Sequence, residues 1–244
     1  MPINLFLLSN SAIFGLHPLE HALNALKEFI NDERIVHFVP YALADHDGYT
    51  ASIQETLAPF GLTVKGVHTF SSPRQALEEA RVLYVGGGNS FRLLKTLQQH
   101  NLLDTVRQRV TAGALRYMGS SAGSNMACPS LRTTNDMPIV QPHSFQAFGL
   151  IPFQINPHYL DPDPNSTHMG ETRAQRIEEF LEENDVPVVG LREGTWLRQH
   201  GPKLHLDGTT SARLFTRNAA PQEIAPGTDL SWLLKIPPHF DQPA

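Results

Sequence analysis

Between residues 3 and 120 the chain alternates short apolar runs with stretches whose apolar residues recur at helical spacing. That alternation restricts the fold more than any other feature of the sequence. Ile3 to Leu8 reads as a strand, Leu19, Ala22, Leu23, Leu26, Phe29 and Ile30 follow at i, i+3, i+4, i+7 spacing, and Ile35 to Val39 is a second strand. The pattern continues through a helix at Ala51 to Phe60, a strand at Val64 to Val67, a short helix after Pro73 and a strand at Val82 to Val85. Helices at Phe91 to Gln99 and Leu102 to Thr111 then lead into the apolar run Ala114 to Met118. Strands rich in Val, Ile and Leu and separated by helices predict an α/β fold of three layers, a mostly parallel sheet flanked by helices. Further on, a helix is expected from Thr172 to Glu183, a strand at Val186 to Leu191, and short strands near Leu204, Leu214 and Trp232. No linker, repeat or low-complexity segment divides the 244 residues, so a single domain over 1–244 is expected.

Composition removes several function classes. The net charge is −5 and no Lys/Arg cluster interleaves with aromatics, so nucleic acid is not an expected partner. The longest apolar runs have strand length, well short of the ~20 residues of a membrane helix, and the N-terminus lacks the basic flank of a signal peptide. A cytoplasmic protein without a membrane partner is the expectation. Cys128 is the only cysteine, which rules out an intrachain disulfide and a cysteine-rich zinc site. His17 and His21 have helical i, i+4 spacing but no third ligand, and Asp45-His46-Asp47 reads as a hydrated loop, so no metal is assigned.

The residues that can carry chemistry begin with Gly119-Ser120-Ser121-Ala122-Gly123, a G-x-S-x-G pentapeptide between the apolar run and a segment able to start a helix. A serine at a sharp strand-to-helix turn is exposed, and flanking glycines allow that turn, which makes Ser121 the candidate nucleophile. Serine oxygen needs a base, and the base needs a partner that fixes its tautomer. Among twelve histidines, His158 stands out because it ends the apolar run Gln154-Ile155-Asn156-Pro157 at the start of a loop. Asp136, before Met137-Pro138, and Glu193, at the end of an apolar strand, both suit the third place. Gly86-Gly87-Gly88-Asn89 lacks the full dinucleotide pattern and is not followed by G-K-[ST], so it is read as a turn beside the nucleophile. The N–H groups of Ala122 and Gly88 are the expected oxyanion donors.

Taken in order, Leu7-Leu8-Ser9-Asn10-Ser11, Val85-Gly86-Gly87-Gly88-Asn89, the pentapeptide around Ser121, Arg132 to Ile139, Gln154 to His158, Gly170-Glu171-Thr172-Arg173 and Gly190 to Gly194 resemble the peptidase E (α-aspartyl dipeptidase) family. The resemblance implies a serine exopeptidase that releases an N-terminal aspartate from small peptides, on a fold similar to class I glutamine amidotransferases. It implies no metal or organic cofactor. It puts the nucleophile on Ser121 and the base on His158, ranks Asp136 before Glu193 as third member, and gives Arg173 the substrate's aspartyl carboxylate, with Asn89 also among the substrate-binding residues. Ser120 stands where the family has a bulkier aromatic residue, a difference expected at the pocket wall, and the Asp161 to Met169 loop departs from the family form. The oligomeric state is not legible, and a homodimer is one assembly open to the chain. The alternatives are a cyanophycinase-like hydrolase of another aspartyl polymer, an esterase of the α/β-hydrolase type, and a binding protein that kept the fold and lost catalysis. The esterase fold usually places its histidine much further from the nucleophile than the 37 residues found here.

Overall fold

A computed structural model describes residues 2–165, 167 and 169–242; within the Asp161 to Met169 loop, Ser166 and His168 lie outside the described residues. In chain order the elements are β1 (Asn4–Leu8), α1 (Leu23–Ile30), β2 (Ile35–Val39), α2 (His46–Leu57), β3 (Thr63–Gly66), α3 (Pro73–Glu79), β4 (Val82–Val85), α4 (Ser90–Gln99), α5 (Leu102–Thr111), β5 (Arg116–Ser120), α6 (Ala122–Ala127), β6 (Gln154–Pro157), α7 (Arg173–Glu183), β7 (Val188–Leu191), β8 (Thr195–His200), β9 (Lys203–Gly208), β10 (Ala212–Phe215) and β11 (Gln222–Ile224). A seven-stranded sheet runs β3-β2-β4-β5-β1-β8-β9, and its first five strands are mutually parallel. The apolar alternation of each strand explains the layering. In β1, Leu5 and Leu7 join one core with residues of α3 to α6, while Phe6 and Leu8 face the other with α1 and α2.

The expected parallel α/β core is therefore present, and two features lie beyond it. β8 extends the large sheet antiparallel to β1 and β9 pairs antiparallel to β8, and a separate four-stranded sheet, β11-β10-β7-β6, forms beside it. One face of the smaller sheet enters the main core through Ile155, Val189, Leu191 and Leu214; the other, through Val188 and Phe215, takes Ile177 and Leu181 of α7. Trp232 is not in a strand. It lies in a 3₁₀ helix, Ser231–Lys235, whose Ser231 N–H donates to the Asp229 carboxylate at 2.8 Å, and Pro237 and Pro238 end it, so local turn chemistry prevails over the β preference of tryptophan. No helix among the described residues is long and apolar enough to cross a membrane.

Parallel strands aim their C-terminal ends at one edge of the sheet. Here that edge carries the turns after β1, β4 and β5, and the end of β6 reaches it from the smaller sheet. The chain passes from one sheet to the other in the turn Arg192-Glu193-Gly194, between β7 and β8.

Candidate active site

β5 ends at Ser120 and α6 begins at Ala122, which leaves Ser121 alone to turn the chain. It does so with φ 54° and ψ −114°, a conformation that few residues with a Cβ adopt and that costs on the order of 1–3 kcal/mol. The turn is held from both sides: the Ser121 N–H donates to Leu8 O at 3.1 Å, and the Ser121 carbonyl accepts from the N–H groups of Ser124 and Asn125 at 2.9 and 3.1 Å. The glycines of the pentapeptide are required sterically. A Cβ on Gly123 would run into Val85 O, and one on Gly119 into Gly123 O. Gly87 comes so close that a Cβ there would lie 3.1 Å from Ser121 Cβ, so the glycine turn after β4 borders the serine as the sequence predicts.

His158 follows the last residue of β6 and also has a positive φ, 53°. Its Nε2 lies 2.9 Å from Ser121 Oγ and its Nδ1 lies 2.7 Å from Glu193 Oε1. A neutral imidazole that donates Nδ1–H to Glu193 leaves Nε2 free to accept the serine proton, which is the tautomer a general base needs. Glu193 is placed by its neighbours. The Arg192 guanidinium is gripped by Asp161 at 2.7 Å and Glu223 at 2.5 Å, and Gly194, at φ 83°, donates its N–H to Asn10 Oδ1 at 2.8 Å.

Asp136, ranked first for the third place, lies elsewhere. Its Oδ2 accepts from Ser90 N–H at 2.7 Å and from Ser90 Oγ at 2.6 Å, so the carboxylate sits at the N-terminus of α4, where the helix dipole and two donors hold it. Asn89 is likewise committed to structure. Its Oδ1 caps α4 through Arg92 N–H at 3.0 Å and its Nδ2 donates to Met137 O at 2.9 Å. Ser120 is fully buried with its Oγ 2.9 Å from Tyr84 Oη, so the difference at this position falls in the core and not on a pocket wall.

Arg173 is the first residue of α7, whose start is fixed by a Thr172–Gln175 capping box. Its Nη1 is buried without a hydrogen-bond partner among the described residues. Burial lowers the guanidinium pKa from its ordinary value, with the Glu193 charge opposing that shift and Arg176 adding to it. A guanidinium N–H that is buried and has no partner among the described residues suits an anionic acceptor. Among the described residues, the N–H groups of Gly88 and Ala122 find no acceptor, and Gly88 adopts φ 128° at a position where a Cβ would run into Ala42 O. No group of three or more His, Cys, Asp or Glu residues able to hold a metal occurs among the described residues.

Sequence comparison decides the family: residues 5–206 match Peptidase family S51. This chain belongs to that family. The family S51 chain is 58% identical over 239 residues to a protein named Peptidase E from Streptomyces coelicolor, covering 98% of each chain. It is 49% identical over 234 residues to one named Probable alpha-aspartyl dipeptidase from Drosophila melanogaster, covering 95% of this chain and 98% of that one. The crystal structure of a putative peptidase E protein from Listeria monocytogenes shares the fold, with a TM-score of 0.65 at 22% identity over 86% of this chain and all of that one. Membership makes the family S51 chain a serine-type peptidase.

Sequence reasoning named Leu8, Ser9 and Asn10 only within a motif and gave them no role, yet their backbone and side chains tie the site together. The available signal was a polar Ser-Asn pair immediately after an apolar strand, at the sheet edge where sites form.

Proposed function

We propose that this serine-type dipeptidase releases an N-terminal aspartate, Asp-|-Xaa, through an acyl-enzyme on Ser121. Ser121 Oγ attacks the aspartyl carbonyl carbon while His158 Nε2 takes its proton, and Glu193 supports the imidazolium that forms. The N–H groups of Gly88 and Ala122 are the donors for the oxyanion, and their lack of other acceptors supports that role. The tetrahedral intermediate collapses as His158 returns the proton to the leaving amine. Water, deprotonated by the same histidine, then attacks the ester, releasing aspartate and restoring the serine hydroxyl.

The observation that carries the aspartate preference is the Arg173 Nη1, buried and without a hydrogen-bond partner among the described residues. An aspartyl carboxylate satisfies it; asparagine removes the charge, and glutamate moves the carboxylate out of register with the scissile carbonyl. The test measures kcat/KM for Asp-Leu, Asn-Leu and Glu-Leu with wild type, Ser121→Ala and Arg173→Ala. Wild type should favour Asp-Leu by about 10²-fold or more, as polar recognition allows. Ser121→Ala should be inactive and folded, and Arg173→Ala should lose most of the preference while still labelling with a small serine-directed phosphonate. An Arg173→Ala protein with wild-type ratios would assign the aspartyl carboxylate to another residue.

A further inference from the structure

His158 holds a backbone conformation that is unfavourable for a residue with a Cβ, yet both ring nitrogens must meet partners on two other strands' ends. Something has to impose that conformation. We propose that the Ser9 hydroxyl is the positioning residue that does so, and that it registers the base against the strand leading to Glu193. The inference rests on the reading of Ser121, His158 and Glu193 as the reacting groups.

Ser9 follows β1 and is fully buried. Its Oγ donates to Leu191 O at 2.8 Å and accepts the His158 N–H at 2.9 Å. A hydroxyl has one proton and two lone pairs, so donation to Leu191 leaves it an acceptor for His158, and both bonds fit one rotamer. The Leu191 carbonyl also accepts the Tyr159 N–H at 2.9 Å, so the amides on both sides of the His158 carbonyl, its own and the next, are referred to one point on β7, two residues before Glu193. On the other side of Glu193, Asn10 Oδ1 holds the Gly194 N–H, and Leu8 O holds the amide of Ser121. Leu8 to Asn10 thus bond to Ser121, to His158 and to residues on either side of Glu193, and of these three Ser9 is the one whose side chain joins the backbone of the base to the strand that leads to the carboxylate. It has no hydrogen bond to a relay side chain, so it acts through the backbone of His158.

The test compares wild type, S9A and S9T by circular dichroism, by steady-state kinetics on Asp-Leu and by the rate of phosphonate labelling at Ser121. S9A should fold, lose about tenfold or more in kcat with KM changed by no more than about twofold, and label more slowly by a similar factor, because the groups remain while their alignment is lost. S9T, which keeps the hydroxyl, should recover most of kcat. An S9A protein with wild-type kcat and labelling rate overturns the inference, and so does one that fails to fold, which would make Ser9 a residue of the core. Wild type that labels but leaves Asp-Leu intact overturns the substrate assignment alone, and the labelling rates then decide on Ser9. Wild type that neither labels nor cleaves overturns the relay and this inference with it.

Discussion

Two carboxylates suited the place beside His158, and only geometry separates them. Glu193 reaches Nδ1 at 2.7 Å, whereas both bonds of Asp136 go to Ser90. Glu193→Gln should therefore lower kcat by about 10²-fold or more, within the usual range for general acid–base machinery, with KM little changed. Its side chain is 53% exposed, so water offsets part of the loss and the effect should stay below that of removing Ser121. Asp136→Asn should cost about 1 kcal/mol of stability at the α4 terminus and less than about tenfold in kcat. Parallel kinetics and denaturant titrations of the two variants check the ranking, and a larger kcat loss in Asp136→Asn would reverse it. The meeting of Ser121 and His158, the proposed nucleophile and base, was readable because its signals are local: a small-residue turn after an apolar strand, and a histidine ending another. The choice of third member was not, because Asp136 and Glu193 differ in which distant residue they meet, and an Asx-like cap looks the same in sequence as a catalytic aspartate.

At the scale of elements, the strands and helices before residue 120 announced themselves through their period, except that α2 begins at His46, in the stretch read as a hydrated loop, because the Asp45 side chain caps it through the Gly48 N–H; in the later part α7, β7, β9 and β10 were legible and β8 and β11 were not. β8 was missed because Thr195 to His200 sets two adjacent apolar residues before three polar ones and so lacks the alternation that marks a strand, and β7 begins at Val188 instead of Val186 because Pro187 cannot donate to a ladder. Helix α7 shows how an element's end serves the site. Its capping box fixes the first turn, and Arg173 is the first residue of that turn. Thr172→Ala should remove about 1 kcal/mol, lowering the melting temperature by about 2–4 °C for a chain of this size. The frayed first turn should raise KM for Asp-Leu more than it lowers kcat. A drop in kcat with unchanged KM would show that α7 does not serve substrate binding.

For the whole molecule, the single thiol is a built-in reporter of integrity. Cys128 is fully buried, and burial pushes its pKa up to about 12, with its sulfur accepting the Ile155 N–H at 3.2 Å between α6 and β6. At pH 8 its thiolate fraction is about 10⁻⁴, so an aromatic disulfide reagent should react only through opening of the fold and should leave activity untouched while the chain is native. Fast stoichiometric labelling without loss of activity would contradict that. The same long-range assembly governs how the site comes into being. Ser9 meets Leu191 across 182 residues, and Asn10 meets Gly194 across 184. On the ribosome β1, which anchors the site, emerges long before Leu191 and Glu193, so a chain released after His158 and before Leu191 carries Ser121 and His158 with nothing to align them. Such a fragment should show no turnover of Asp-Leu, however well its first five strands form.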